Sequence, residues 1–139
     1  MLIPKKVKFR KWQTGRKNPT KVTPEVRGST LSFGSYGLKA ETAARVKSNQ
    51  IESARKVLTR TVTKVGRVWI RIFPDRPFTA KPAEVGMGKG KGDPQGYCFE
   101  VRPGRVIFEV DGVTEAVARE ALRKAGAKLP MKTRVVARQ

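Results

Sequence analysis

The feature that most constrains this chain is its unbalanced charge. Its 139 residues include 31 lysines and arginines against 11 aspartates and glutamates, which gives a formal net charge of +20. Charge of one sign on this scale repels itself when the chain compacts, so the sequence predicts a polyanionic partner: a nucleic acid, an acidic membrane surface or an acidic protein. Hydrophobic residues still make up 38% of the chain, enough for one modest core. We therefore expect one folded domain with basic extensions.

Residues 1–30 are predicted to form a basic extended tail, and residues 31–139 a single domain. Glu25 is the one acid of the tail, and prolines interrupt any helix there. Its aromatic rings could stack on exposed bases while its cations meet phosphates, so contact with RNA is favoured over a solubilising arm with two hydrophobic anchors. The tail residues expected to bind RNA are Lys5, Lys6, Lys8, Arg10, Lys11, Trp12, Arg16 and Lys17.

Alternating and helical periods predict an α+β fold: an antiparallel or mixed sheet with two packed helices. Strands are predicted at Leu31–Ala40 (with a bulge or close backbone approach), Arg67–Phe73, Tyr97–Val101, Val106–Val110 and Met131–Ala137. Helices are predicted from about Asn49 to Val65, capped by Ser48 and ended by Gly66, and from Thr114 as the cap to about Leu129. The prolines between Pro74 and Pro82 predict a loop, and Pro103-Gly104 predicts a hairpin turn.

Each predicted helix has one apolar and one charged face. The apolar stripes are Ile51, Ala54, Leu58, Val62 and Val65 on the first helix, and Ala118, Leu122, Ala125 and Leu129 on the second. The outer face of the first helix carries Lys56, Arg60 and Lys64, which either face solvent or meet phosphates. Predicted ion pairs are Glu52–Lys56, Glu115–Arg119 and Glu120–Lys124.

The most unusual segment is the glycine-lysine loop, residues 86–92 (GMGKGKG). Its bare backbone and two lysines, Lys89 and Lys91, suit close approach to a sugar-phosphate chain, although a flexible hairpin tip is the alternative. A nucleotide-binding loop is excluded, because a Walker motif needs glycine where Val85 or Ala83 stands, and a serine or threonine after the lysine.

Neither catalysis nor a cofactor is expected from the residue types present. The chain has no histidine, which removes the commonest general base and the familiar zinc sites. Cys98 is the one cysteine and is expected to be a small buried core residue. No apolar stretch approaches the roughly 18 residues of a membrane span, and the N-terminus lacks the apolar core of a signal peptide. We therefore expect no metal, no membrane and no small-molecule substrate, and a protein that stays where it is made.

Several motifs, taken in order along nearly the whole chain, resemble the L-sixteen family of bacterial and organellar large-subunit ribosomal proteins, whose archaeal and eukaryotic relatives are called L-ten-e. The motifs are Met1-Leu2 with Pro4-Lys5, Lys8–Lys11, Phe33–Leu38, Gln50-Ile51-Glu52 with Ala54-Arg55, Trp69–Pro77, Lys81-Pro82, Met87–Gly92, Pro103–Val106 and Leu129–Thr133.

The resemblance implies a compact α+β hammerhead sandwich that binds large-subunit rRNA near the aminoacyl-tRNA site and the peptidyl-transferase region. It also implies contact with tRNA and neighbouring ribosomal proteins, late entry into subunit assembly, and a cytoplasmic location in a bacterial ribosome, with a plastid ribosome as the alternative. Further RNA-binding residues expected on the matched motifs are Arg55, Arg71, Arg76, Lys81, Met87 and Lys132.

The chain departs from the family pattern at two places. Gly86 stands where family members commonly carry arginine, so one cationic contact at the base of the loop is lost or replaced. Residues 18–29 are longer and richer in proline than usual. The competing classes are a small DNA-binding protein, for which no helix-turn-helix pair or basic zipper is found, and a phosphate-handling enzyme, which the failed loop motifs disfavour.

Overall fold

A computed structural model of the chain describes residues 1–13, 15, 22–62 and 65–139. Seven strands and two helices are assigned within these ranges. In chain order they are β1 (Tyr36–Ala40), β2 (Ala44–Lys47), α1 (Ser48–Thr61), β3 (Arg67–Ile70), β4 (Arg76–Ala80), β5 (Asp93–Val101), β6 (Val106–Asp111), α2 (Glu115–Gly126) and β7 (Thr133–Ala137).

The strands form two antiparallel sheets. The first has four strands in the order β3-β6-β1-β7, and the second has three in the order β2-β5-β4. Helix α1 packs on β2, β5 and β3, helix α2 packs on β1, β7 and β6, and the helices also pack on each other. The predicted α+β class is confirmed, with two sheets instead of one. No helix in the described ranges is long and apolar enough to cross a membrane.

Helix α1 forms because its apolar residues recur every three or four positions and meet the core together. Ile51, Ala54, Leu58 and Val62 are all buried, as the stripe predicted. The start is within one residue of the prediction, but the predicted cap and the predicted C-terminal end were wrong. Lys47, not Ser48, is the N-cap, and its backbone N–H donates to Gln50 Oε1 at 2.9 Å. The helix ends at Thr61, so Gly66 does not end it and Val65 is 81% exposed.

Helix α2 begins as predicted. Thr114 is its N-cap, and the side-chain oxygen accepts a hydrogen bond from the Val117 backbone N–H at 3.5 Å. The whole predicted stripe is buried, although the helix ends at Gly126 and Leu129 follows in the next turn. Its outer face carries ion pairs at one-turn spacing. Both predicted pairs form, Arg119–Glu115 at 2.9 Å and Lys124–Glu120 at 3.7 Å.

All five predicted strands are present with changed limits, and those of β6 and β7 change by only one or two residues. Strand β1 is half as long as predicted. Its register with β6 shifts between Leu38 and Lys39, next to the glycines at which a bulge or a close backbone approach was predicted. Strand β3 ends at Ile70 instead of Phe73, while β5 begins at Asp93, before the predicted start. The turn between β5 and β6 is the predicted one, because Gly104 has φ +98° and the Arg105 N–H donates to the Arg102 carbonyl.

The loop predicted from Pro74 to Pro82 was wrong, because β4 lies inside it. Strand β4 is an edge strand that pairs with β5 alone, with Pro77 opposite Tyr97. An edge strand tolerates proline because one side of its backbone needs no ladder hydrogen bond. The short strand β2, at the other edge of the same sheet, was also not predicted.

Candidate nucleic-acid interface

The N-terminal segment lies against the glycine-lysine loop, although the two are about 80 residues apart in sequence. Lys11 Nζ donates to the Lys91 carbonyl at 3.4 Å. In return, Lys91 Nζ donates to the Trp12 carbonyl. The structure therefore brings together two segments that the sequence identified separately as candidate RNA-binding elements.

Arg76, on strand β4, connects the same segment to the sheet. Its Nη2 donates to the Gln13 carbonyl at 2.7 Å, and its guanidinium lies 5.5 Å from the centre of the Trp12 ring. Its Nη1 lies 3.3 Å from Glu100 Oε1, and the side chain is 15% exposed. Arg76 thus positions Trp12, while its own charge is largely buried and paired with Glu100.

The loop itself projects into open space on an unusual backbone. Gly88, Lys89 and Gly90 have φ values of +103°, +59° and +94°, three left-handed residues in succession. Lys89 is the one non-glycine residue with positive φ in the described ranges. Met87 is 96% exposed, and a Cβ built on Gly86 would meet no atom within 4 Å. At the base, Lys81 Nζ donates to the Gly88 carbonyl, which ties the loop to the end of β4.

We name this region the tail–loop surface. It consists of Lys11, Trp12, Arg76, Lys81, Met87, Lys89 and Lys91, seven of the residues predicted from the sequence. It combines four lysines with Trp12 and Met87, and Arg76 holds Trp12 in place from below. Such a surface can neutralise phosphates and offer an aromatic face to a base.

The remaining tail residues lie beside this surface and are exposed. Lys5, Lys6, Lys8 and Arg10 carry solvent-exposed side chains. Lys8 Nζ lies 5.6 Å from the centre of the Phe9 ring, which is 60% exposed. A small cleft of about 190 Å³ is lined by this part of the tail together with Trp12 and Asp75. The predicted residues Arg16 and Lys17 lie outside the described residues.

The residues predicted on α1 are not part of the tail–loop surface. Lys56 and Arg60 are exposed on the helix, and Lys64 lies outside the described residues. Arg55 pairs with Glu52 at 2.5 Å, so the predicted partner of Glu52, Lys56, was wrong. The hydrogen bond from Arg55 holds the pKa of the Glu52 carboxyl below its usual value, against a smaller opposing effect of burial.

Arg71 serves a structural contact within the protein. Its Nη1 lies 2.5 Å from Oε2 of Glu109, a carboxylate with no exposed surface. Oε1 of Glu109 accepts hydrogen bonds from the backbone N–H groups of Ser32, Phe33 and Gly34 at 2.9, 3.0 and 3.1 Å. The Arg71 side chain is only 18% exposed. Its guanidinium fastens the segment before β1 to the sheet and is poorly placed to reach an external phosphate.

Lys132 is exposed and lies at the far end of α2, where its backbone N–H donates to Thr42 Oγ1 at 3.1 Å. Around it the structure gathers cations that the sequence did not single out for RNA binding: Arg123, Lys124, Lys128 and Arg134. The available signal was the cationic spacing of Lys124 and Lys128, one helical turn apart, without an acid between them. The predicted pairing of Lys124 with Glu120 accounted for part of this charge, and the remaining cations were therefore not identified as candidate RNA-binding residues.

The described residues offer no metal centre. No group of three or more carboxylates or cysteines is arranged to hold an ion within residues 1–13, 15, 22–62 and 65–139. Cys98 is buried, as predicted, and burial raises the pKa of its thiol. The thiol is therefore protonated at neutral pH and packs as a small apolar group.

Comparison with known proteins assigns the chain to a family. The family described as Ribosomal protein L16p/L10e matches residues 4–136. The large ribosomal subunit protein uL16 of Afipia carboxidovorans is 55% identical over 138 residues, which cover 99% of this chain and 98% of that protein. The match spans the tail, both sheets, both helices and the glycine-lysine loop. The chain therefore belongs to the ribosomal protein L16p/L10e family, and it is a structural ribosomal protein, not an enzyme.

Proposed function

We propose that this chain is a structural constituent of the large ribosomal subunit that binds large-subunit rRNA through its tail–loop surface. The observation that carries the proposal is the convergence of tail, loop and Arg76 on one basic surface. The net charge of +20 supplies the long-range attraction to RNA. Family membership supports the ribosome as the setting.

The mechanism is phosphate neutralisation combined with shape fit. Lysine and arginine side chains displace condensed counterions from RNA, and their release drives binding. Glycines at alternate loop positions remove side-chain bulk, so that the loop backbone can lie against a sugar-phosphate chain. Trp12 is 42% exposed and Phe9 is 60% exposed, which leaves ring surface for stacking on unpaired bases.

The resemblance supports a finer proposal about location. The protein is proposed to bind rRNA near the aminoacyl-tRNA site and the peptidyl-transferase region, to contact tRNA and neighbouring ribosomal proteins, and to join the subunit late in assembly, in the cytoplasm of a bacterial cell. A projecting loop with an exposed Met87 at its tip is suited to contact a tRNA while the rest of the surface binds rRNA. The domain division proposed is a basic tail over residues 1–30 and one rRNA-binding domain over residues 31–139.

Replacing Lys89 and Lys91 together with alanine should weaken RNA binding and flatten its salt dependence. Two lost phosphate contacts reduce the slope of log K against log salt by up to about two units. Fluorescence titration of deproteinised large-subunit rRNA over about 50 to 200 mM salt measures the slope. The control is Arg119→Ala, which removes an exposed cation already paired on α2. If the loop variant and the control both keep the wild-type slope, the loop is not part of the binding surface.

Sedimentation tests the cellular setting. A tagged copy of the full chain, expressed in bacterial cells, should migrate in a sucrose gradient with large subunits and whole ribosomes. High salt should release it, because most of its attraction to RNA is electrostatic. Recovery only at the top of the gradient, or only with small subunits, would contradict the proposal.

A further inference from the structure

A cleft with a largely apolar lining follows strand β3, which is an edge strand of the four-stranded sheet. Its volume is about 610 Å³, which lies within the range of typical binding clefts. Six consecutive residues, 68–73, line it together with Leu2, Asp75, Phe99 and Arg105. Because the lining follows the chain from residue to residue, the cleft runs along the strand. We name it the β3 edge cleft.

The backbone of β3 has hydrogen-bonding groups that no strand uses. The Arg71 N–H donates to the Ile107 carbonyl at 2.8 Å, and Ile70 lies opposite Phe108. Because antiparallel residues alternate between facing the partner strand and facing away, the N–H and C=O groups of Val68 and Ile70 face away from β6. Among the residues that the structure describes, no strand pairs with β3 on that side. An open edge of this kind is a template for one more strand.

Arg105 contributes a cation that the described part of the protein does not neutralise. Its Nη1 and Nη2 donate to the carbonyls of Arg27 and Arg71 at 3.3 and 3.2 Å, which are neutral acceptors. Its Nε is buried and has no hydrogen-bond partner among the described residues, and no described carboxylate forms an ion pair with it. A buried donor without an acceptor costs free energy, so a carboxylate beside Arg105 would bind favourably.

The remaining lining favours a protein over RNA as the occupant. Its partly buried apolar residues, which pack against the core, are Leu2, Val68, Ile70 and Phe99. Arg71 is already neutralised by Glu109, and Asp75 would repel a phosphate. The cleft thus lacks the several lysines of the tail–loop surface, while its apolar walls suit the alternating side chains of a β-strand. A second copy of this chain is disfavoured as the occupant, because two chains of charge +20 repel each other.

We infer that the β3 edge cleft binds an extended segment of another protein, which adds a strand to the sheet beside β3. The segment carries apolar residues at alternate positions and one carboxylate that pairs with Arg105. Backbone hydrogen bonds to Val68 and Ile70 supply the affinity, and the apolar walls and Arg105 supply the specificity. The inference goes beyond the proposed function, because nothing in it depends on RNA binding.

The first experiment tests the strand edge with the full chain. The probe is a short fluorescein-labelled peptide in which valine and threonine alternate around one central glutamate. Fluorescence anisotropy at about 0.15 M salt, which screens nonspecific attraction, should show saturable binding. Ile70→Pro should weaken this binding by about five- to tenfold, because proline removes the N–H that faces outward and leaves the pairing with β6 intact.

Val135→Pro is the matched control on β7, the opposite edge of the same sheet. Val135 lies opposite Leu38, and the Arg138 N–H donates to the Ser35 carbonyl at 2.8 Å, so the Val135 N–H also faces outward. The Ile70 and Val135 side chains are both partly buried against the core, so the two prolines should lower stability similarly in urea denaturation. The control should bind the peptide like wild type.

The second experiment tests Arg105 through a ratio of affinities that lost stability does not change. Wild type should bind the glutamate peptide about tenfold more tightly than a matched peptide with glutamine in its place. Arg105→Gln should remove this preference, even where it also lowers the stability of the protein. Arg102→Gln, which removes an exposed cation in the same turn, should retain the preference.

The outcomes separate this inference from the proposed function. Absence of saturable binding overturns the inference, as does equal affinity of Ile70→Pro and Val135→Pro, or a glutamate preference that survives Arg105→Gln. A dimer of the full chain that Ile70→Pro dissociates in sedimentation equilibrium would show that β3 pairs with a second copy instead. Ile70→Pro should keep the wild-type RNA salt slope, and a flattened slope would identify the cleft as an RNA surface. The proposed function is tested separately by the Lys89 and Lys91 replacements.

Discussion

Glu109→Gln is expected to lower the free energy of unfolding by about 3 to 5 kcal/mol, because it breaks a buried ion pair from one side. Glu109 has no exposed surface and neutralises Arg71 at 2.5 Å. The glutamine would leave the Arg71 guanidinium without a negative charge to pair with. It would also place its amide nitrogen, which is a donor, against one of the N–H groups that now donate to Glu109. Urea denaturation measures the change, and Glu115→Gln, in an exposed pair on α2, should change stability by less than about 1 kcal/mol. Equal shifts in the two variants would contradict the argument.

The same carboxylate makes stability depend on pH. Burial opposes ionisation of Glu109, but hydrogen bonds from Arg71 and from the Gly34, Phe33 and Ser32 amides outweigh it and lower its pKa. The folded protein therefore binds fewer protons here than the unfolded chain. Its contribution is complete above the unfolded pKa of about 4.3 and is lost as pH falls through the folded value. Glu109→Gln should flatten the acid limb of the stability curve relative to wild type.

A double variant distinguishes the ion pair from general damage to the strand. When both partners of a buried pair are replaced by groups of similar size, stability often recovers, because no uncompensated charge remains. Glu109→Gln with Arg71→Met should therefore be more stable than Glu109→Gln alone. A double variant as unstable as the sum of the two single changes would show that the pair carries no coupling.

Local sequence patterns could not reveal this cluster. Strand β6 was predicted from its alternation, which would place Glu109 on an open face of the sheet. In the structure residues 32–34 cover that face, and the backbone comes so close that a Cβ on Gly34 would lie 2.7 Å from the Val110 carbonyl. The partners of Glu109 are 38 to 77 residues away. No periodic signal reports contacts at such distances.

The same distinction explains which elements were predicted well. Helix stripes and the Thr114 cap are local, so the buried faces of α1 and α2 were predicted correctly, except for Val65, which is exposed beyond the end of α1. Strands β2 and β4 depend on pairing with β5, whose partner residues are 13 to 57 positions away in sequence. Strand β4 also contains a proline, which argues against a strand when its edge position is unknown. Short edge strands with weak alternation are therefore the elements that sequence patterns miss.

The candidate site was predicted as residue types but not as an arrangement. Charge and composition identified the tail and the loop separately, because basic and glycine-rich segments are recognised from residue types alone, without knowledge of their secondary structure. That Lys11 and Trp12 meet Lys91, and that Arg76 joins them, depends on tertiary contacts. For Arg71 the residue type was also insufficient. Its position in a matched motif predicted RNA binding, whereas in the structure its side chain pairs with Glu109.

Phe108→Ala is expected to lower the free energy of unfolding by about 3 to 5 kcal/mol, through lost burial and the cavity left behind. Phe108 is fully buried on β6, the strand between β1 and β3, and lies opposite Leu38 and Ile70. Phe73→Ala is the matched control, because that ring is 43% exposed and should cost less than about 1 kcal/mol. Shifts in the urea midpoint at constant m-value measure both.

Phe108→Ala also separates the stability of the fold from RNA binding. Domains of this size are stable by about 5 to 15 kcal/mol, so the variant should remain largely folded at low temperature without denaturant. Because binding is attributed to surface cations, the folded variant should keep the wild-type salt slope. The Lys89 and Lys91 replacements should show the reverse, with stability retained and slope lost, since both side chains lie on exposed loop backbone. A folded Phe108→Ala protein with a flattened slope would show that the apolar core, and not the placement of charge on it, determines how this chain binds RNA.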